Sequence, residues 1–153
     1  MILRIVVGTV LAAMALGQLA SFDAMPAILT TYGLTSEAAS TALAMALVGA
    51  EAVTAGWFLA RPRSRAITPV RLYAGVAVVW SVLAAQAFAR GLDLDNCGCF
   101  GTYLAQPLRW YVLVEDALML LYAWLLWRAV RRARPDPLTD RTSTAAPTPR
   151  ENH

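Results

Sequence analysis

The residues best suited to chemistry lie in one short stretch, Asp95-Asn96-Cys97-Gly98-Cys99-Phe100-Gly101. Cys97 and Cys99 are the only cysteines among the 153 residues. Two thiols separated by one glycine can cycle between dithiol and disulfide. Bridged cysteines usually hold their Cα atoms about 4.4–6.8 Å apart, and residues i and i+2 meet that only if the chain between them bends. Gly98 lacks a Cβ and can enter the left-handed region such a bend needs, while Gly101 frees the far side in the same way. A ring this small is strained, and strained, exposed disulfides are the labile or catalytic ones. Closing so short a loop also removes little unfolded-state entropy, which makes it a poor structural staple.

Two other readings share these residues. Paired thiolates suit a soft ion such as Cu(I), whereas a closed zinc site needs four ligands and would require a second chain. The only histidine, His153, is the last residue of the chain. The remaining reading is a static disulfide, or two idle thiols that shape a loop. The strain argument favours thiol–disulfide exchange, with no metal. Asp93 and Asp95 precede the pair, and their charge is expected to raise the thiol pKa values rather than activate a nucleophile.

A second set of candidates is ionisable and sits in apolar surroundings. Glu51 falls near the middle of an apolar run, where a charge is costly and a functional role is the default hypothesis beside structural pairing. Glu115 and Asp116 fall within two turns of the start of the last apolar run, with Arg109 placed to act as counter-ion to Glu115. Gln18 and Gln86 end two other runs at the same level, so these groups could line a polar cavity beneath the cysteines. The bland alternative is that side chains this near an interface snorkel to water, which is favoured for Asp116.

The elements that must position these residues are membrane helices. The chain is 58% hydrophobic and 15% charged, against about a quarter charged in soluble domains. Charge-poor runs cover Ile5–Ala20, Ala38–Ala60, Leu72–Ala89 and Tyr111–Trp127. Each approaches the ~20 residues a helix needs to cross a hydrocarbon core. The pattern predicts an all-α, integral membrane four-helix bundle over residues 1–132, with helices at about 2–21, 37–60, 69–90 and 108–130. Small residues Ala42, Ala46, Ala50 and Thr54 recur at i, i+4 spacing and suggest a close helix–helix seam. Arg4 ahead of an apolar stretch resembles a signal peptide, but no clean cleavage site follows, so an uncleaved first helix is expected. Residues 133–153, rich in Pro and Thr after Arg134, are expected to form a disordered cytoplasmic tail.

The net charge of +3 is carried by arginine, with no lysine. It does not indicate nucleic acid, because the arginines cluster at helix ends. Arg4, the Arg61–Arg71 connection and the Arg128–Arg134 segment fall on one side; Asp23, Glu37 and the cysteine connection fall on the other. The positive-inside rule then places both termini in the cytoplasm and the cysteines outside a bacterial inner (plasma) membrane, in an environment that permits disulfides. Trp57 and Trp127 at one boundary, and Tyr32, Tyr103, Trp110 and Tyr111 at the other, fit interfacial belts.

Asn96-Cys97-Gly98-Cys99-Phe100-Gly101 resembles the Cys-Gly-Cys-Phe-Gly signature of the methylamine-utilisation MauE family, within the wider DoxX-like group of four-helix membrane proteins. Ser21-Phe22-Asp23, Tyr32-Gly33-Leu34, and Glu51 followed by Gly56 agree with it, and the resemblance covers about residues 1–130. It implies a maturation factor for methylamine dehydrogenase, whose small subunit is rich in disulfides, with Cys97 and Cys99 as the redox pair. It also implies a periplasmic thioredoxin-like partner and a secreted client. A quinone is the cofactor class used by other membrane thiol oxidases, though the sequence marks no pocket for one. The alternative function is a non-enzymatic membrane assembly factor or chaperone with a structural cysteine loop.

Overall fold

Each long apolar run becomes a helix in the computed structural model, which describes residues 1–132; the tail expected over 133–153 lies outside the described residues. The helices are α1 (Ile2–Ala20), α2 (Met25–Thr31), α3 (Glu37–Ala60), α4 (Thr68–Ala89) and α5 (Trp110–Arg132), with a 3-10 turn at Phe22–Ala24. α1, α3, α4 and α5 are long and apolar enough to cross a membrane. Among the described residues all regular structure is helical.

Local chemistry accounts for the helix ends. Ser36 caps α3, its Oγ accepting from the Ala39 N–H at 3.4 Å, with Glu37 in the first turn. Pro26 and Pro69 sit in the first turns of α2 and α4, where a missing N–H costs nothing. α4 ends on Gly91 at φ +66°. There the N–H of Leu92 reaches Ala87 O and that of Gly91 reaches Phe88 O, both at 3.0 Å, closing a Schellman motif. α5 carries Arg131 and Arg132 in its last turn, where cations complement the helix dipole. It starts later than the sequence pattern suggested. Ahead of it, Gln106 and Leu108 are engaged by the cysteine connection: Cys97 N–H donates to Gln106 O and Leu108 N–H to Leu94 O, each at 2.8 Å.

α2 has no counterpart in the sequence reading, which treated Ser21–Glu37 as a plain connection. Seven residues are too few to display a helical period. The segment nevertheless folds back into the bundle and buries Met25 and Leu29, one turn apart. Tyr32, which the sequence sets near the outer boundary, is 1% exposed, because α2 carries it against the core.

The four spans pack in the order α1–α3–α4–α5, and α1 and α5 barely meet, so the ring of helices is left open along one seam. Lipid offers no hydrophobic drive for helices to associate, so close packing and interhelical hydrogen bonds take that role. Trp80 of α4 donates from Nε1 to Glu51 Oε1 of α3 at 2.8 Å, both fully buried. Such a bond contributes roughly 1 kcal/mol. Tyr73 of α4 donates to the Met119 carbonyl of α5 at 3.0 Å. The small-residue seam expected on Ala42, Ala46, Ala50 and Thr54 forms only in part, with Thr54 buried and Ala50 partly so. Ala42 and Ala46 are exposed, and the buried face of α3 runs through Ser40, Ala44, Leu47, Glu51, Thr54 and Phe58. Glu51 and Phe58 outweigh the alanines in choosing that face. The close approach comes from α1, where a Cβ on Gly8 would stand 3.1 Å from Phe58 and Leu59 of α3.

Arginine–aromatic pairs gather at one end of the bundle. Arg4 lies over Phe58 at 5.3 Å, Arg61 over Trp57 at 5.4 Å, Arg128 over Trp124 at 4.9 Å and Arg131 over Trp127 at 5.2 Å. The cysteine connection lies between the far ends of α4 and α5, opposite this belt.

Gly8→Val is expected to wedge α1 off α3 and cost about 1–3 kcal/mol, the usual range for overpacking, read as a lowered unfolding midpoint of the detergent-solubilised protein. Gly49→Val, at a position open to the surroundings, is the control and should leave that midpoint in place.

Candidate functional site

The connection between α4 and α5 is held down by its backbone. Asn96 organises the turn from both ends of its amide, accepting from Gly98 N–H and donating to Gly101 O, each at 2.9 Å. Gly101 N–H closes back on Gly98 O at 3.1 Å. Gly98 and Gly101 sit at φ +84° and +68°, the left-handed region where a side chain is strained. Space demands glycine as well. A Cβ on Gly98 would lie 2.9 Å from Ile28, and one on Gly101 would collide with Ser21 Oγ and the Gly17 carbonyl.

The loop docks on the last turn of α1. A Cβ on Gly17 would collide with the Phe100 carbonyl, so both glycines are required for the two backbones to touch. Gln18, fully buried, donates from Nε2 to Cys99 O at 2.8 Å. Ser21 Oγ accepts from Thr102 N–H at 3.0 Å. From the other side, Tyr32 donates to Cys97 O at 2.8 Å. Burial, then the cysteines and Asp116, push the Tyr32 phenol well above its ordinary range, which keeps it a donor. Tyr32 is itself fixed, its carbonyl accepting from Arg90 at 3.0 Å and Gln86 at 3.3 Å. Both cysteine carbonyls are thus held by side chains from elements before α3.

The sulfurs are two free thiols 3.4 Å apart. Cys97 is 2% exposed and Cys99 is half-buried. Either S–H can donate across that distance. The hydrogen bond from Cys99 holds Cys97 below the usual thiol range, more than offsetting burial, and the same bond with burial pushes Cys99 well above it. The pair therefore loses its first proton from Cys97, with Cys99 the donor that stabilises the thiolate. The acids that raise the cysteines are not the flanking Asp93 and Asp95, which are exposed. They are Asp116 and Glu115 for Cys97, and Asp116 and Glu51 for Cys99. As a metal site the loop offers two sulfurs, two short of a closed zinc site. Among the described residues no group of three or more His, Cys, Asp or Glu side chains gathers.

The other sequence candidates divide. Glu51 is fully buried beneath the loop, one oxygen on Trp80, the other without a hydrogen-bond partner. Trp80 also lies under Gly98, 3.6 Å from where its Cβ would be, so one indole touches both the membrane acid and the cysteine turn. Phe100 is half-buried and contributes its carbonyl to the contact with α1. Arg109 is exposed, and Glu115, also exposed, accepts instead from Gln106 Nε2 at 3.0 Å. Asp116, which the sequence suggested would snorkel outward, is 5% exposed with an unpartnered Oδ2. Gln18 and Gln86 lie at the loop level as expected, anchoring backbone rather than lining a cavity. The sequence does not mark Gly17 and Ser21 as loop contacts; the one local cue is a glycine at the end of an apolar run, beside the polar Gln18.

The family model described as methylamine utilisation protein MauE matches residues 1–128. The methylamine utilization protein MauE of Paracoccus denitrificans is 25% identical over 138 residues, which cover 90% of this chain and 73% of that protein. No solved structure matches significantly.

In the reduced protein, ultraviolet thiolate absorbance is expected to show one ionisation below the ~8.5 of a free cysteine. Cys99→Ala removes the donor to Cys97 and should move that step upward, whereas Asp95→Asn should leave it nearly unchanged.

Proposed function

The chain belongs to the MauE family of methylamine utilisation proteins, and from that membership and the loop geometry we propose that it is a membrane thiol–disulfide redox factor that matures an extracytoplasmic protein. The four spans and the bacterial relative make it a multi-pass bacterial membrane protein. The observation that carries the redox reading is the approach of the two sulfurs to 3.4 Å on a loop whose carbonyls are already fixed. Forming a bond of about 2.0 Å requires only a local side-chain shift. The anchored backbone then stays in place through dithiol and disulfide states, keeping the pair ready for the next exchange.

The cycle follows from the leaving group. With the pair oxidised, a client thiolate attacks Cys99 Sγ, and Cys97 Sγ, the thiol held below its ordinary range, leaves as thiolate. A second client thiol attacks the mixed disulfide, forming the client disulfide and releasing Cys99. The client gains one S–S bond and loses two electrons and two protons, which reside on the Cys97–Cys99 dithiol. The client class that methylamine utilisation supplies is a disulfide-rich dehydrogenase subunit, reached directly or through a thioredoxin-like partner. Orientation in the inner membrane rests on charge: the arginine–aromatic belt faces the cytoplasm with both termini, and the cysteine loop faces outward.

Three measurements bear on this reading. A membrane-impermeant maleimide should label the reduced loop cysteines on intact spheroplasts; labelling only after lysis contradicts the orientation. Brief exposure of the oxidised protein to a one-cysteine peptide, then acid quenching and mapping, should find the adduct mainly on Cys99. Cys97→Ser, Cys99→Ser and the double variant should all lose client maturation. If the double variant retains full function, the loop is the structural part of an assembly factor instead.

A further inference from the structure

The open seam between α1 and α5 forms an apolar groove of about 290 Å³ that leads from the cysteine loop toward the membrane interior. This is the lower edge of the roughly 300–1,000 Å³ usual for small-molecule sites. Val10 and Met14 of α1 face Leu118 and Met119 of α5 across it, and Cys99 lies in its wall beside the loop. Its α1 side spans Val6 to Met14, about 12 Å along the helix axis. Asp116 also lines it, nine-tenths or more buried, with Oδ2 lacking any partner. A lipid acyl chain would fill the apolar part and leave that oxygen unanswered. Burying an unpartnered polar group carries a cost, so the groove suits an occupant with a hydrogen-bonding head at the loop end and an apolar remainder. Cys99 adds a third requirement, because this lining residue belongs to the proposed redox pair.

We propose that this groove binds a membrane quinone, which takes up the two electrons of the reduced Cys97–Cys99 pair. The inference rests on the thiol redox reading above and supplies its missing acceptor. In the step, both S–H bonds break and one S–S bond forms between Cys97 and Cys99. The quinone takes two electrons, and its two carbonyl oxygens become hydroxyls. Asp116 passes a proton to the quinone oxygen nearest it and is reprotonated by a proton released from the thiols; the second thiol proton reaches the other oxygen. The quinol leaves laterally through the seam, which the lack of packing between α1 and α5 keeps open.

The experiment uses the full-length protein in detergent, reduced and desalted, with duroquinone as probe. Every ring position of that quinone is substituted, so no stable aryl thioether forms and thiol loss reports oxidation. One quinol is expected per two thiols lost. Val10→Trp and Met14→Trp, which fill the groove, and Asp116→Asn should each slow quinol formation about a hundredfold, within the range for loss of a proton-transfer group. Val10→Trp and Met14→Trp should still be oxidised by diamide at the wild-type rate, and Asp116→Asn at least as fast because the thiols lose a neighbouring acid, which also shows that all three fold. If duroquinone oxidises the groove-filled variants as fast as wild type, the groove is not its site. If diamide closes the pair and duroquinone does not, the groove holds lipid and the exchange reading survives alone. If neither closes the pair, both readings fail.

Discussion

Backbone against backbone, the Cys-Gly-Cys turn rests on the last turn of α1, and most of the molecule is arranged around that contact. It requires Gly17 on the helix and Gly101 on the loop, since a Cβ on either would enter the other's main chain. Once it is made, Gln18 reaches Cys99 O and Ser21 reaches Thr102 N–H. Tyr32, delivered by the folded-back α2, reaches Cys97 O. On the proposed redox cycle the dithiol gains from such a seat, because the sulfurs can move while the peptide groups are held. Local strain can then be held at the turn by the surrounding structure.

The polar groups buried within the bundle extend that seat downward. Trp80 joins the turn to Glu51, and Asp116 lies in reach of the pair from the opposite helix. Isolated polar groups are expensive inside a membrane, and here several oxygens, on Gln18, Glu51 and Asp116, have no partner. They converge on the cysteine end while the arginine–aromatic pairs hold the other. The bundle thus carries arginine–aromatic pairs at one end and gathers the cysteines and buried acids at the other. The groove left between α1 and α5 reaches the cysteine end.

How much of this was legible depends on the range over which each signal acts. The four spans are properties of contiguous composition, and they emerge with ends set by local caps such as Ser36 and Gly91. The Cys97–Cys99 turn was readable because Gly98 and Gly101 carry their conformational meaning locally. Which acid points inward was not. Glu115 and Asp116 differ by about 100° around the helix, and α5 is apolar nearly all round, so its buried stripe through Val112, Asp116, Ala123, Leu126 and Val130 appears only once neighbours pack. The same holds for Ala42 and Ala46, whose spacing suggested a seam that larger residues on another face claimed. α2 and the hold of Tyr32 on the Cys97 carbonyl are not legible in the sequence, because a seven-residue helix is defined by what it packs against. The role of Gly17 depends on a contact with Phe100, far away in sequence.

The most direct measurement is the redox equilibrium of Cys97 and Cys99 in isolated membranes. Samples would be poised across glutathione and dithiothreitol buffers, alkylated and weighed as intact protein. A cycling pair gives a single reversible two-electron transition between doubly alkylated dithiol and unalkylated intramolecular disulfide, the same from either direction. Two thiols that stay alkylatable at every potential, or a disulfide that no buffer reduces, would contradict the assignment of this loop as a redox centre.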